Sequence, residues 1–404
     1  MCALGWIVAA ACAFPTAAAA SGTGSSPWLQ SGYNAAHSEF NAAETAVTSA
    51  NVARLRPAMR IAGSGKAGEC AAGVTLTVLS DARVYVLDRG RLAAYTVGTH
   101  RQLWSTVVDP YADIAPVGLA VSHGQVLLGQ DDCFTTDPTG SISVYASDTG
   151  HHLQTVFGPS DSLFDFVVAG RYLVANWGCA ECSQYQDIRV YDLPADRVVG
   201  RHGASSADVR TTAVVGGSTF ETVQAANGAS RLNAYRVSSG QLTWSRAGGD
   251  TVIAGDSPSP DARTLVVAQP TGALDVLDPA TGRLRYHLTG VVAGAAIAVG
   301  GARIYAGCGA HDEAVCAFSA SSGQQVWRVA GADGGGIVAA GDVVYLADGR
   351  VLSAADGHQL SRLPGDPVAV GNVGVGVLEP SPHPVDGDDL VLFRPASASG
   401  SRRS

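Results

Sequence analysis

Three segments of this chain, AAYTVGTHRQLW (93–104), NAYRVSSGQLTW (233–244) and CAFSASSGQQVW (316–327), share an aromatic, a turn residue and a tryptophan at fixed separations. From the aromatic, the turn residue falls five positions on and the closing residue nine on: Tyr235, Gly240 and Trp244, or Phe318, Gly323 and Trp327. The same ruler fits Tyr145 and Gly150, Leu277 with Gly282 and Tyr286, and Leu352 with Gly357. It also fits Tyr191, where Asp196 takes the turn, and Tyr95, where His100 does. A tight connection between antiparallel strands often needs positive φ at one residue, which Gly reaches freely and Asp at modest cost. A recurring unit of this kind sets the architecture, so the 404 residues are not to be divided by an average domain size.

Two further β-type runs precede each ruler, such as VTLTVLS and ARVYVLD before Tyr95, or GIVAAG and DVVYLAD before Leu352. Each unit therefore has four short strands. Units of four strands at intervals of 34 to 50 residues are blades of a β-propeller. After the seventh unit come PVAVG, VGVGVLE and LVLFR, whose Phe393 lies 41 positions beyond Leu352, and then the chain runs out before a fourth strand. A fourth-strand-like run, VARLRPAMRI, stands instead at 52–61. The expected fold is all-β, an eight-bladed propeller of four-stranded antiparallel blades whose last blade is closed by this N-terminal strand; seven blades is the alternative. Such closure pairs the hydrogen-bond edge that a terminal blade would leave open. Gly 49, aromatics at 7% and charged residues at 15% fit many short strands and tight turns.

Residues 1–20 form one apolar run ending in Ala18–Ala20 before Ser21, the pattern of a signal peptide, although no Lys or Arg precedes Arg54. A lipid anchor at Cys12 is the alternative. The organisation read from the chain is a signal peptide (1–20), a lead-in segment (21–51), one propeller (52–396) and a disordered tail (397–404), secreted or held at the cell envelope. Beyond the leader no run approaches the roughly 18 apolar residues of a membrane span. Six cysteines remain: Cys70, Cys133, Cys179, Cys182, Cys308 and Cys316. An even count in an oxidising compartment reads as three disulfides, with many pairings formally open. In a four-stranded blade the loop joining strands two and three shares a face with the loop leading into strand one, which puts all six cysteines on one face. Cys308 and Cys316 flank such a loop and are expected to pair. Cys179 and Cys182 lie in the equivalent loop of the third unit, and Cys70 and Cys133 in adjacent units complete the set. A redox role for Cys179-x-x-Cys182 wants a thioredoxin-like strand-to-helix turn, and a zinc site wants ligand spacing that His151, His152 and His202 do not supply.

The motif A-x-D-x-x-T-G-x-x-x-W, present in degenerate form as Asp278, Thr281 and Gly282 or Ser322, Gly323 and Trp327, resembles the repeat of the quinoprotein-like (PQQ-like repeat) β-propeller family. The run through Trp28, Gly32, Tyr33, Asn41, Glu44, Thr45, Asn51, Val52 and Leu55 resembles the lead-in of its secreted bacterial, non-enzymatic members. The resemblance spans residues 28–395. It implies that Trp104, Trp244 and Trp327, with Tyr286 as a partial substitute, dock each blade on its neighbour. Gln154, Gly200 and Ser361 at the equivalent positions then imply looser contacts, since a lost buried aromatic costs about 3–5 kcal/mol, and they leave part of the burden to disulfides. The quinone-dependent dehydrogenases of the family are longer and carry adjacent cysteines with a Glu, Asn and Asp set for Ca²⁺ and the quinone. No Cys-Cys pair exists here. No catalytic, cofactor-binding or metal residue is therefore assigned, and no PQQ is expected.

A net charge of −9, with no basic run before Arg402-Arg403, lacks the phosphate-neutralising face of a nucleic-acid binder. The run Asp386, Gly387, Asp388, Asp389 lacks the ligand spacing of a calcium loop and reads as a solvated hairpin tip. His311, Asp312 and Glu313 read as an exposed tip, and Asp161 and Asp165 around Phe164 and Phe166 as a turn leading into the third blade. No nucleophile elbow, phosphate loop or H-E-x-x-H is present. The functional expectation is a monomeric exported scaffold that binds another exported protein or an envelope component, and not an enzyme. In architecture it resembles the propeller lipoproteins that assist outer-membrane protein assembly. The alternative is a small-ligand or quinone-dependent oxidoreductase-like site at the funnel over the central channel.

Overall fold

The computed structural model describes residues 27–64, 74–80, 82–108, 114–132, 140–158, 162–178, 186–204, 213–224, 230–248, 251–255, 264–269, 273–291, 296–309, 313–332, 335–382 and 387–396. Cys70, Cys133, Cys179, Cys182, Asp161, His311, Asp312, Asp386, the leader and the tail lie outside them. Eight antiparallel four-stranded sheets stand as eight blades. The first is Val74–Leu79, Arg83–Asp88, Arg91–Thr96 and Gln102–Val107, each strand paired to the next from the axis outward. The seventh, Ile337–Ala340, Val343–Leu346, Arg350–Ser353 and Gln359–Arg362, repeats the pattern. Among the described residues no helix is long and apolar enough to cross a membrane.

The eighth blade takes three strands from the C-terminal end, Asp366–Gly371, Gly374–Glu379 and Asp389–Pro395, and its outermost strand, Leu55–Ile61, from the N-terminal end. The two chain ends pair in register, Pro57 with Phe393, Met59 with Leu392 and Ile61 with Leu390. Arg60 bonds Glu379 and sits 2.6 Å from Asp389, which also accepts the Gly63 N–H at 2.9 Å. Asp389 is thus buried in the closing blade and is no part of a solvated tip. The buried side chains form clusters that each span neighbouring blades, so the core is distributed over the seams.

What the ruler encodes is visible at those seams. In each of the first seven blades the third and fourth strands shift register just before the closing residue, as between Ala94↔Trp104 and Tyr95↔Gln102, which is a β-bulge. The turn residue is left-handed in all seven, including His100 (φ 57°) and Asp196 (φ 46°). The bulge aims the closing aromatic at the next blade. Trp104 Nε1 donates to Ser147 O (3.0 Å), Trp244 Nε1 to Pro279 O (2.8 Å), Tyr286 Oη to Ala320 O (2.6 Å) and Trp327 Nε1 to Ala354 O (3.1 Å). Each acceptor lies two residues past the neighbour's ruler position. The ring then covers the neighbour's turn glycine so closely that a Cβ on Gly282 would fall 2.6 Å from Trp244 Cε3.

Where Gly200 replaces the aromatic, the seam closes up instead of loosening. A Cβ on Gly240 would lie only 3.1 Å from Gly200 Cα, and His202 stacks on Tyr235 with ring centroids 3.8 Å apart. Glu221 and Asp187 lie buried nearby, Asp187 paired with Arg189 and Arg201. Burial pushes His202 down to about 4, with Asp187 opposing, and burial pushes Glu221 up to about 7, with Asp187 adding and a Tyr235 hydrogen bond opposing.

Two predictions follow from this packing. Trp244→Phe keeps the cover over Gly282 and loses one hydrogen bond, costing about 1 kcal/mol, whereas Trp244→Ala costs about 3–5 kcal/mol, both read by urea unfolding. At the Gly200 seam, Glu221 favours the fold fully below its ordinary 4.5 and loses that contribution as pH rises through about 7. His202 favours it above its ordinary 6.5 and loses that as pH falls through about 4, so the seam is firmest between those ordinary values. Melting curves should show Glu221→Gln narrowing its difference from wild type on the acid side and gaining on the alkaline side, with His202→Phe gaining below pH 6.5.

Candidate functional site: the axial channel and its occupant

The lead-in does not lie on the outside of the ring. Trp28 exchanges backbone hydrogen bonds with Leu79 of the first blade, and Leu29 and Ser31 bond Val121 and Leu119 of the second. The Gln30 amide then takes both backbone groups of Val168 in the third, donating to its carbonyl at 3.1 Å and accepting its N–H at 2.9 Å. Ala35 O accepts from Val214 of the fourth blade, Ser38 O from Val299 of the sixth, and Glu39 O from Ala339 of the seventh. Phe40–Asn41 runs parallel to the innermost strand of the seventh blade, and the Asn41 amide donates to Val370 of the eighth at 2.7 Å. Ala36 packs with Leu265 and Leu277 of the fifth. A segment touching all eight blades crosses the axis.

Its conformation is local chemistry. The Asn34 carboxamide oxygen accepts the N–H groups of Ala36 and Ser38, a side chain standing in for backbone in a tight turn. Tyr33, His37 and Glu39 all have positive φ (73°, 48° and 48°). Strain of that order persists only where surrounding contacts over-determine the backbone, as the inner strands do here. Farther on, the Glu44 carboxylate accepts from Val47 N at 2.8 Å, and Asn51 bridges Thr48 N and Ala46 O. The lead-in then becomes the closing strand.

Above this segment, at the ends where the innermost strands begin, lies a cavity of about 440 Å³. Its walls are Trp28, Leu76, Ile297, Ile337, Val338 and Leu378, and its polar groups include His37, Glu39, Thr77 and Asp366. His37 Nε2 is 3.3 Å from Asp165. Asp165, read from sequence as part of a turn, stands inside Ser162–Ala169, the innermost strand of the third blade, and faces the lead-in. Desolvation pushes the Glu39 carboxyl up to about 7, with His37 opposing, and pushes Asp366 up to about 6, with Asp388 adding to it.

Of the cysteines, Cys308 and Cys316 form a disulfide across the second and third strands of the sixth blade, Cα atoms 5.9 Å apart. Glu313 is exposed beside Arg328 (3.4 Å). The described His, Cys, Asp and Glu residues form no group of three that could hold a metal ion. The sequence signals for the cavity were weak. His37, Glu39 and Asp366 fall outside the ruler motif, and only the topology brings them together.

If the lead-in is an integral part of the ring, Gln30→Ala should cost about 1–3 kcal/mol in urea unfolding, because it strands both backbone groups of Val168. A rim substitution such as Leu242→Ala should stay within about 0.5 kcal/mol.

No curated protein sequence matches the chain. The family model described as outer membrane protein assembly factor BamB matches residues 228–370. Among solved structures, quinohemoprotein alcohol dehydrogenase from Comamonas testosteroni is similar with a TM-score of 0.66 and 14% identity, over 91% of this chain and 80% of that one. BamB from Moraxella catarrhalis is similar with a TM-score of 0.54 and 15% identity, over 84% and 97%. The computationally designed Ika8 protein is similar with a TM-score of 0.63 and 16% identity, over 84% and 99%. At such identities the likeness is one of fold, and it runs across enzymes and non-enzymes alike. The ring makes this chain an eight-bladed β-propeller, similar over residues 228–370 to the matched family model.

Proposed function

We propose that the chain is an exported, non-enzymatic scaffold that docks another exported protein or a cell-envelope component. The observation that carries this reading is the lead-in: it bonds inner strands around the ring and takes the axis for the chain's own use. What the molecule then offers to others is its two faces and its rim. The rim suits a protein partner. Leu153, Val198, Leu242, Leu284 and Val326, on the outermost strands of five consecutive blades, are 43–50% exposed. Isolated exposed apolar residues are ordinary, but here one falls at the first or second position of the outermost strand in each of these blades. The Cys308–Cys316 disulfide suits an oxidising compartment. The matched family model, described as an outer-membrane assembly factor, supports the same class of role.

The second reading, a quinone-dependent or other small-ligand protein with its site in the funnel, is favoured by the cavity of about 440 Å³. The two separate on purified material. The scaffold reading expects no quinone absorbance, no stoichiometric Ca²⁺, and one envelope protein crosslinked to the rim whose capture is lost in the double variant Leu242→Asp, Leu284→Asp. Quinone absorbance with bound Ca²⁺, or capture that survives the double variant, would overturn it.

A further inference from the structure

The funnel cavity joins core residues of the ring to two carboxyl groups from remote parts of the chain. Its described lining includes the apolar Trp28, Leu76, Ile297, Ile337, Val338 and Leu378, interspersed with polar groups such as Ser31 and Thr77. Into this space stand two carboxyl groups from unrelated parts of the chain, Glu39 on the lead-in and Asp366 at the start of the eighth blade's innermost strand. Neither side chain accepts a hydrogen bond from any described residue, and none of the described lining residues is Lys or Arg. His37, the one basic lining group, is engaged with Asp165. A partly desolvated carboxylate without a protein donor is costly, so two in one cavity leave room for a hydrogen-bond donor that carries positive charge.

We infer that this cavity binds a small organic cation, a primary ammonium carried on an apolar body, with Glu39 and Asp366 receiving the ammonium and the walls around Trp28 and Ile337 covering the rest. The chemistry selects among the alternatives. An anion meets two carboxyls, while His37, the basic group among the described lining residues, already stands beside Asp165. A bare divalent metal needs several converging oxygen or nitrogen ligands, and no group of three exists among the described residues. A neutral apolar ligand would leave both carboxyls without a partner. A volume of about 440 Å³ falls within the range of small-molecule pockets, and apolar walls around a few oriented polar groups are their usual construction.

The protonation states give the site a direction with pH. Desolvation holds Glu39 near 7 and Asp366 near 6, with His37 facing the first and Asp388 the second. An ammonium pairs with the ionised form, so binding strengthens as pH rises through those values and is accompanied by proton release. This site rests on the small-ligand reading of the funnel, and its calorimetry and the rim-capture test of the scaffold role can fail separately.

Calorimetry on the purified full chain, in amine-free phosphate buffer, tests the inference with three isosteric probes: phenethylamine, 2-phenylethanol and 3-phenylpropionate. At about pH 8 phenethylamine should bind about tenfold or more tighter than the alcohol, and the carboxylate should not bind. At about pH 5 that advantage should fall by about tenfold as both carboxyls protonate. Asp366→Asn and Glu39→Gln, each first shown by its melting curve to be folded, should each weaken the ammonium several-fold at pH 8 and leave the alcohol unaffected; if Glu39→Gln fails to fold, Asp366→Asn alone decides. Equal affinity for amine and alcohol, no binding of the amine to folded protein at pH 8, or variants that bind it as wild type does would overturn the inference.

Discussion

The ring depends on close packing between blades, made at several seams by one repeated contact: a closing aromatic whose polar head donates to a turn carbonyl of the next blade while its ring lies over the turn glycine there. Neither partner suffices alone. The bulge aims the aromatic outward from its own ladder, and the left-handed turn residue clears the surface it lands on. Four seams use Trp or Tyr in this way. A propeller blade has little core of its own, so its stability comes from such neighbour contacts, and a ring is as firm as its weakest one.

The seam at Gly200 shows that the requirement is close packing and not a particular residue. With the aromatic gone, the two backbones approach until glycine faces glycine, and His202 on Tyr235 restores a stacked pair one step along the strand. The substitute brings titratable groups into the interior, which an indole does not. The geometry is kept and the pH sensitivity is new.

Much of this was legible because a ruler of five and nine positions is the local geometry of a bulged hairpin, and local geometry repeats wherever the hairpin does. The closing strand was legible for a related reason: an unpaired fourth-strand pattern at 52–61 matched a missing one after Phe393. The lead-in's route was not. Gln30 and Asn41 act by bonding backbone groups that are 138 and 329 residues away, and such pairings leave no period in the chain. Asp165 and Asp389 were misread for the same reason, since their partners, His37 and Arg60, are remote in sequence. The loosening expected at Gly200 failed because a glycine also permits a closer approach, which a substitution pattern alone does not reveal. The cavity needed the fold, because its two carboxyls come from opposite ends of the polypeptide.

One segment, residues 27–61, both crosses the axis and completes the final blade, and its last partners follow the other seven blades in sequence. A chain emerging from its N-terminus must therefore carry the closing strand unpaired while seven blades accumulate, holding Leu55, Met59 and Ile61 without their pocket. Contacts of such long sequence separation form slowly, because loop closure must precede them. Assembly is consequently completed from both termini at once, and a nascent or C-terminally shortened chain exposes adhesive surface that the finished ring conceals.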